Sequence, residues 1–105
     1  MEKSQGTLII EEYEKNRDKS SVKLGENYLI RTVTMIFTGC IFKETNDCFV
    51  LKNAAWIADA GRWNVAVRDA EFSEVEMYPV DTEVIVFKGS IVDMCIIKKL
   101  PTETV

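Results

Sequence analysis

The sequence predicts a mainly β protein with short helices. Two stretches carry this prediction, "NYLIRTVTMIFTGCIFKET" and "EVIVFKGSIVDMCIIKK". Both are dominated by β-branched and aromatic residues, which favour strands over helices. The chain has 105 residues, of which 47% are hydrophobic and 29% charged. This length and composition are typical of one compact domain, which we expect residues 1–105 to form.

The first part of the chain predicts a flexible end over residues 1–6 and a helix over residues 7–19. The segment "EEYEKNRDK" is rich in helix formers, and Thr7 is a candidate N-cap. The segment "TLII" fits a short strand equally well, so both alternatives stay open there.

Residues 27–57 predict a bent hairpin. Threonine and apolar residues alternate through "RTVTMIFT", which indicates a strand with one face inward. The run is long for one strand, and Gly39 marks the expected bend or bulge. Asn46 and Asp47 supply a turn, and "CFVLKNAAWIAD" follows as the returning strand.

Residues 58–79 predict a helical insertion, with Gly61 at its start. Four residues recur at i, i+3, i+4 and i+7, the apolar stripe of a short helix: Trp63, Ala66, Val67 and Ala70. Residues 83–98 predict the final hairpin, in which two apolar strands flank "KGS".

Two of these segments resemble a known family. "TGCIFKETNDCFVLKNA" resembles the first conserved segment of Sm-like proteins, and "VIVFKGSIVDM" resembles the second. This resemblance implies a strongly bent, five-stranded small barrel with an N-terminal helix and a helical insertion before the last hairpin. Through "YLIRTVT" and "AAWIAD", the whole chain also resembles short proteins of unassigned role encoded in bacteriophage and prophage genomes.

The resemblance also implies an assembly and a ligand. Sm-like barrels have open edge strands that neighbouring copies complete, so we expect a cyclic homo-oligomer. Asn46 and Asp47 match the first ligand-binding loop of RNA-binding Sm-like rings, and Lys88 and Gly89 match the second. The expected ligand is RNA or a small phosphorylated nucleotide. The alternative is that "KGS" is a solvated hairpin tip.

A second candidate site lies in "AAWIADAGRW". Trp56 and Trp63, with Arg62 beside them, can form a stacking clamp for a base. Alternatively, both tryptophans anchor the small helix on the barrel, because large aromatic side chains commonly fill such a role.

Residues 69–83 form an acidic strip, since their charged residues are all acidic. Such a strip is either solvated surface or, in a ring, a contact for Lys98 and Lys99 of a neighbouring copy.

Composition excludes several classes of function. The chain has no histidine, so histidine-based triads and His-ligated zinc sites are excluded. Thirteen basic and seventeen acidic residues give a net charge of −4, which argues against non-specific coating of nucleic acid. The three cysteines form no CxxC pair and are expected to be reduced thiols. We expect no enzyme activity, no cofactor and no metal.

The sequence therefore predicts a non-enzymatic, ring-forming module that binds a nucleotide-like ligand. The alternative is a structural or protein-interaction ring without such a ligand. The charged start predicts no signal peptide, and no apolar run predicts a membrane span. We expect a cytoplasmic protein, located in the host cytoplasm and acting on a host protein or system if it is phage-encoded.

Overall fold

A computed structural model describes residues 4–8 and 21–105. The six strands are β1 (Asn27–Thr32), β2 (Ile36–Glu44), β3 (Cys48–Asp59), β4 (Glu74–Met77), β5 (Val84–Phe87) and β6 (Ile91–Ile96). One helix, α1 (Trp63–Asp69), lies between β3 and β4, and a 3-10 turn (Lys88–Ser90) joins β5 to β6.

The strands form one antiparallel sheet in the order β4-β3-β2-β1-β6, with β5 also paired to β3. The predicted mainly β class is confirmed, with 46% of the described residues in strands. The predicted five-stranded barrel is wrong, because the sheet has six strands and is not closed. The sixth strand is β4, which pairs with the last part of β3 while β5 pairs with the first part.

The predicted bent hairpin over residues 27–57 is instead three strands. A turn over residues 33–35 separates β1 from β2. Thr32 holds this turn, because its backbone N–H donates to the Met35 carbonyl at 2.7 Å and its hydroxyl donates to the same oxygen at 2.8 Å. The alternation of threonine and apolar residues continues through the turn, so the pattern gave no sign of a break.

The predicted final hairpin over residues 83–98 is wrong. In the described part of the chain, β5 pairs with β3 and β6 pairs with β1, and no ladder joins β5 to β6. The strands β5 and β6 lie at opposite edges of the sheet, yet the 3-10 turn between them has only three residues. The sheet must therefore curl strongly enough to bring its two sides together at this turn.

The predicted helical insertion over residues 58–79 is helical only in part. The apolar stripe does form α1, whose Ala66 is fully buried. Gly61 has φ +70°, and its N–H donates to the Asp59 carboxylate at 2.9 Å, which turns the chain out of β3. The insertion then returns to the sheet as β4, because Val75 packs against Ile57 on the face that α1 covers.

Apolar clusters lie on both faces of the sheet. The first fills the inside of the curl: Tyr28, Ile30, Ile41, Phe49, Leu51, Ala54, Val84 and Val86. The others lie on the opposite face, beneath α1 and the segments around it: Leu29, Ala70 and Ile97, with Ala55, Ile57 and Val75 beside them. Because successive strand residues alternate between faces, β1 is buried on both sides and reads "YLI" without interruption.

The N-terminal helix begins earlier than predicted. Residues 5–8 are helical, so the strand alternative fails for Thr7 and Leu8. Ser4 rather than Thr7 caps the helix, because the Ser4 hydroxyl accepts a hydrogen bond from the Thr7 N–H at 3.1 Å. The rest of the helix predicted over residues 7–19, like the first three residues of the chain, lies outside the described residues.

The outer edge of β4 is covered by the end of the chain. Val75 and Val105 exchange two backbone hydrogen bonds of 3.1 and 3.0 Å. The Met77 N–H donates to the Thr104 hydroxyl at 3.1 Å. Within residues 4–8 and 21–105, the sheet edges without a backbone partner are therefore those of β5 and β6.

The position of Gly39 leads to a first testable prediction. The ladder between β2 and β3 shifts register between Thr38 and Cys40, as expected for a bulge at this glycine. A Cβ atom on residue 39 would lie 2.9 Å from the Leu51 Cβ. Gly39→Ala is therefore expected to lower the free energy of unfolding by about 1–3 kcal/mol, measured by urea denaturation.

Gly89→Ala is the matched control for this prediction. A Cβ atom there would meet no heavy atom within 4 Å, and its φ is not positive. The control is expected to leave stability unchanged within about 0.5 kcal/mol or to raise it slightly. Equal losses in the two variants would contradict the close packing of Leu51 on Gly39.

Candidate functional site

The two loops predicted to bind a ligand lie side by side. The first, residues 45–47, joins β2 to β3, and the second is the 3-10 turn after β5. The Lys88 backbone N–H donates to the Asp47 carbonyl at 2.8 Å, so the pairing of β5 with β3 continues into the loops. We call residues 45–47 and Lys88–Ser90 the loop pair.

Thr45 gives the first loop its shape. Its hydroxyl accepts hydrogen bonds from the Cys48 N–H at 3.1 Å and from the Asp47 N–H at 3.3 Å. This local bonding is typical of threonine in turns, and it leaves Asn46 and Asp47 exposed.

The Lys88 side chain is not simply a solvated tip. Its ammonium nitrogen lies 2.7 Å from a Glu44 carboxylate oxygen and 5.0 Å from the centre of the Phe49 ring. These contacts hold the charge at the inner side of the loop pair, where both an anion and an aromatic face stabilise it. Gly89 is exposed, so its backbone is open to approach.

The structure does not bring Arg62 and Trp63 to the loop pair. Both loops of the loop pair adjoin the first residue of β3, whereas Arg62 follows the last residue of β3. The 12 residues of β3 separate the two regions by up to about 40 Å of strand. Asn46, Asp47, Lys88 and Gly89 therefore lie together, and Arg62 and Trp63 form a separate region of the same chain.

The two tryptophans do not face each other. The Trp63 ring lies 5.1 Å from the Arg31 guanidinium carbon, and Arg31 also pairs with Asp93. Trp56 lies between Ala55 and Ile57, whose side chains point to the face covered by α1. Strand alternation therefore places the Trp56 indole on the opposite face of the sheet. The stacking clamp proposed from the sequence is not formed within one chain.

Part of the acidic strip is paired within the chain. Asp69 accepts a hydrogen bond of 2.8 Å from Arg68, and its other carboxylate oxygen lies 3.6 Å from the Lys98 ammonium. The Arg68 hydrogen bond, with the charges of Arg68 and Lys98, lowers the pKa of Asp69. Lys98 therefore has an acidic partner inside the molecule.

The candidate groups for metal binding are the acidic side chains and the three cysteines. Across the described ranges, no three acidic or cysteine side chains lie close enough together to hold a metal ion. Cys40, Cys48 and Cys95 are free thiols. Burial, followed by the charge of Asp93, raises the pKa of Cys95, which disfavours the reactive thiolate.

Sequence reasoning missed Glu44 and Phe49 as partners of Lys88. Glu44 is 44 residues from Lys88, and only the pairing of β5 with β3 brings them together. An available signal was that both residues flank the predicted Asn-Asp turn.

No protein-family model, curated protein or solved structure matches the chain. Among the described residues, no helix has the length and apolar character needed to cross a membrane.

Proposed function

We propose that the protein is a non-enzymatic, ring-forming homo-oligomer that binds a nucleotide-like ligand at the loop pair. The ligand is RNA or a small phosphorylated nucleotide. The observation that carries the proposal is the hydrogen bond of 2.8 Å from the Lys88 backbone N–H to the Asp47 backbone carbonyl. It holds together the two loops that were predicted from the sequence to bind a ligand. The Sm-like resemblance of the same loops supports the choice of ligand. The phage resemblance supports action on a host system in the host cytoplasm.

A phosphate group would compete with Glu44 for Lys88. The ammonium group already lies against a carboxylate, so an incoming phosphate exchanges one anion for another. The exposed backbone at Gly89 lets a ligand approach closely, and Asn46 offers an amide that can donate to a base or a phosphate. In a ring, copies of the loop pair would add their weak individual affinities.

This mechanism predicts opposite effects of two substitutions at the ion pair. Lys88→Ala is expected to weaken binding of a fluorescent oligouridylate by at least about tenfold, because it removes the cation. Glu44→Gln is expected to strengthen binding about threefold, because it removes the competing anion. Fluorescence anisotropy titration measures both, and light scattering checks that the oligomer mass is unchanged.

Lys43→Ala is the matched control. Lys43 is an exposed lysine of β2 beside Glu44, and its loss changes the net charge as Lys88→Ala does. A weakening equal to that of Lys88→Ala would mean general electrostatic attraction rather than a site. If neither oligouridylate nor nucleoside phosphates bind the unaltered protein, the proposal is wrong.

The second candidate is a structural or protein-interaction ring without a nucleotide ligand. The exposed apolar side chains of β5 and β6 favour it, since Ile85, Phe87 and Val92 are 57%, 63% and 59% exposed. A ring that assembles and binds neither nucleotide probe would support this candidate over the first.

A further inference from the structure

Several aromatic rings of this fold make cation–π contacts with lysine or arginine side chains. Among the described residues, three rings have one: Trp63 with Arg31 at 5.1 Å, Phe42 with Lys52 at 4.5 Å, and Phe49 with Lys88 at 5.0 Å. Trp56 is 39% exposed, and no cation of the described residues lies over its ring. Its surroundings therefore indicate what it can bind.

Trp56 is the centre of a row that crosses three strands. Its register partners are Phe37 on β2 and Glu76 on β4. Directly opposed side chains on neighbouring antiparallel strands lie on one face, with Cβ atoms about 5 Å apart. Tyr78 joins the row, because its ring centre lies 6.5 Å from that of Phe37. Three aromatic rings and one carboxylate thus share this face.

The row borders an open groove of about 320 Å³. Its lining is apolar and aromatic apart from one carboxylate: Met35, Trp56, Glu76, Met77, Tyr78 and Pro79. A second depression of about 340 Å³ shares Met35 and Trp56, continues to the turn between β1 and β2, and is also lined by Arg31.

The charge of the residues around the groove determines which kind of peptide can bind there. Glu76 makes no ion pair with any residue that the structure describes, whereas Glu44, Asp69 and Asp93 all do. The segment from residue 72 to residue 87 contains four acidic residues and no basic one: Glu74, Glu76, Asp81 and Glu83. A phosphate or an acidic peptide would be repelled at Glu76, and Arg31 farther along the groove is already paired with Asp93. A purely apolar segment would bury the Glu76 carboxylate without a partner.

We propose that this groove binds an extended basic peptide segment of a partner protein. An arginine or lysine side chain of that segment lies against Trp56 and pairs with Glu76. This arrangement repeats between two proteins the ring and cation contacts that the fold makes internally. The methionines and Pro79 contact apolar residues of the same segment, since flexible thioethers adapt to varied shapes.

The inference is independent of nucleotide binding at the loop pair. Trp56 and Glu76 belong to the later part of β3 and to β4, whereas both loops of the loop pair adjoin the first residue of β3. The two sites have opposite charge preference, so failure of one leaves the other unaffected.

The test is an NMR titration of the full chain with two synthetic peptides. The probe is acetyl-Ala-Arg-Pro-Arg-Ala-amide, and its counterpart carries Glu in place of both Arg. The arginine peptide is expected to shift the Trp56 indole N–H resonance in a saturable way, and the glutamate peptide is not. Trp63 serves as an internal reference, because Arg31 already occupies its ring. The Trp63→Phe variant assigns the two indole signals.

Two substitutions locate the binding. Glu76→Gln is nearly isosteric and is expected to raise the dissociation constant about fivefold. Glu83→Gln changes the net charge equally outside the groove and is expected to have no effect. The inference is overturned if the arginine peptide leaves Trp56 unshifted at millimolar concentration, or if the glutamate peptide shifts it equally. Equal weakening by Glu76→Gln and Glu83→Gln would also overturn it.

Discussion

Leu51→Ala is expected to lower the free energy of unfolding by about 3 kcal/mol or more, one of the largest effects of any single truncation in this chain. Leu51 is fully buried in the first cluster, where its register partners are Ile41 on β2 and Val84 on β5. Truncation leaves a cavity bordered by three strands, and the register of β3 on both sides limits how far the backbone can collapse into it.

Urea denaturation followed by tryptophan fluorescence measures the loss. Leu24→Ala is the matched control, because it removes the same atoms from a side chain that is 57% exposed. The control is expected to change stability by less than about 0.5 kcal/mol. If the two variants lost equal stability, β3 would not be the centre of the core.

The central place of β3 explains where sequence reasoning succeeded. Its segment "CFVLKNAAWIAD" has apolar residues at nine of its 12 positions, and it coincides with β3 from Cys48 to Asp59. A strand with partners on both sides and clusters on both faces must be apolar throughout, so its composition alone identifies it. The stripe of α1 was equally readable, because one face of a surface helix must be apolar.

The error at residues 83–98 has a different physical origin. Two apolar strands separated by "KGS" have the local pattern of a hairpin. Whether such strands pair with each other depends on which edges are already available. Here β3 and β1 offer edges, and β5 and β6 each take one. That competition is decided by the whole sheet, so a local pattern does not reveal it.

The strand β4 was missed although its signal was present. "EVEM" alternates acidic and apolar residues, as a strand with one solvated face does. Its pairing partner was hidden because β3 is long enough to hold β5 and β4 in succession, and its Asn53 has φ +53° between the two halves.

The sequence predicted the positions of the two loops of the candidate site, because each loop follows a strand that was recognised from its apolar residues. Asp47 and Lys88 meet because β5 pairs with β3. The resemblance implied that both loops bind the ligand, and the hairpin predicted over residues 83–98 did not include this pairing. The separation of Arg62 and Trp63 from that site follows from the length of β3, since these residues were chosen for their chemistry and not for their position. The groove at Trp56 depends on three-strand register, which no spacing rule provides.

Ile85→Lys is expected to convert the proposed oligomer into a monomer of 12.0 kDa. Ile85 lies on β5, whose outer edge has no backbone partner within the described residues. A lysine there must lose its hydration when a second copy approaches, and charge on an edge strand prevents pairing. Light scattering measures the mass. Leu24→Lys is the control, because both side chains are 57% exposed and only one lies on a free edge.

Two variants, each with a lysine on a different edge strand, can show which strands of neighbouring copies pair. In a ring, β5 of one copy pairs with β6 of the next, so each copy uses two different edges. Val92→Lys, on β6, should also give monomers. Mixing it with Ile85→Lys leaves one intact edge on each partner, so an equimolar mixture should form a dimer of the two variants at twice 12.0 kDa. Dimers of Val92→Lys alone would show that β5 pairs with β5, which closes a pair and forbids a ring. A monomeric unaltered protein would refute the assembly altogether.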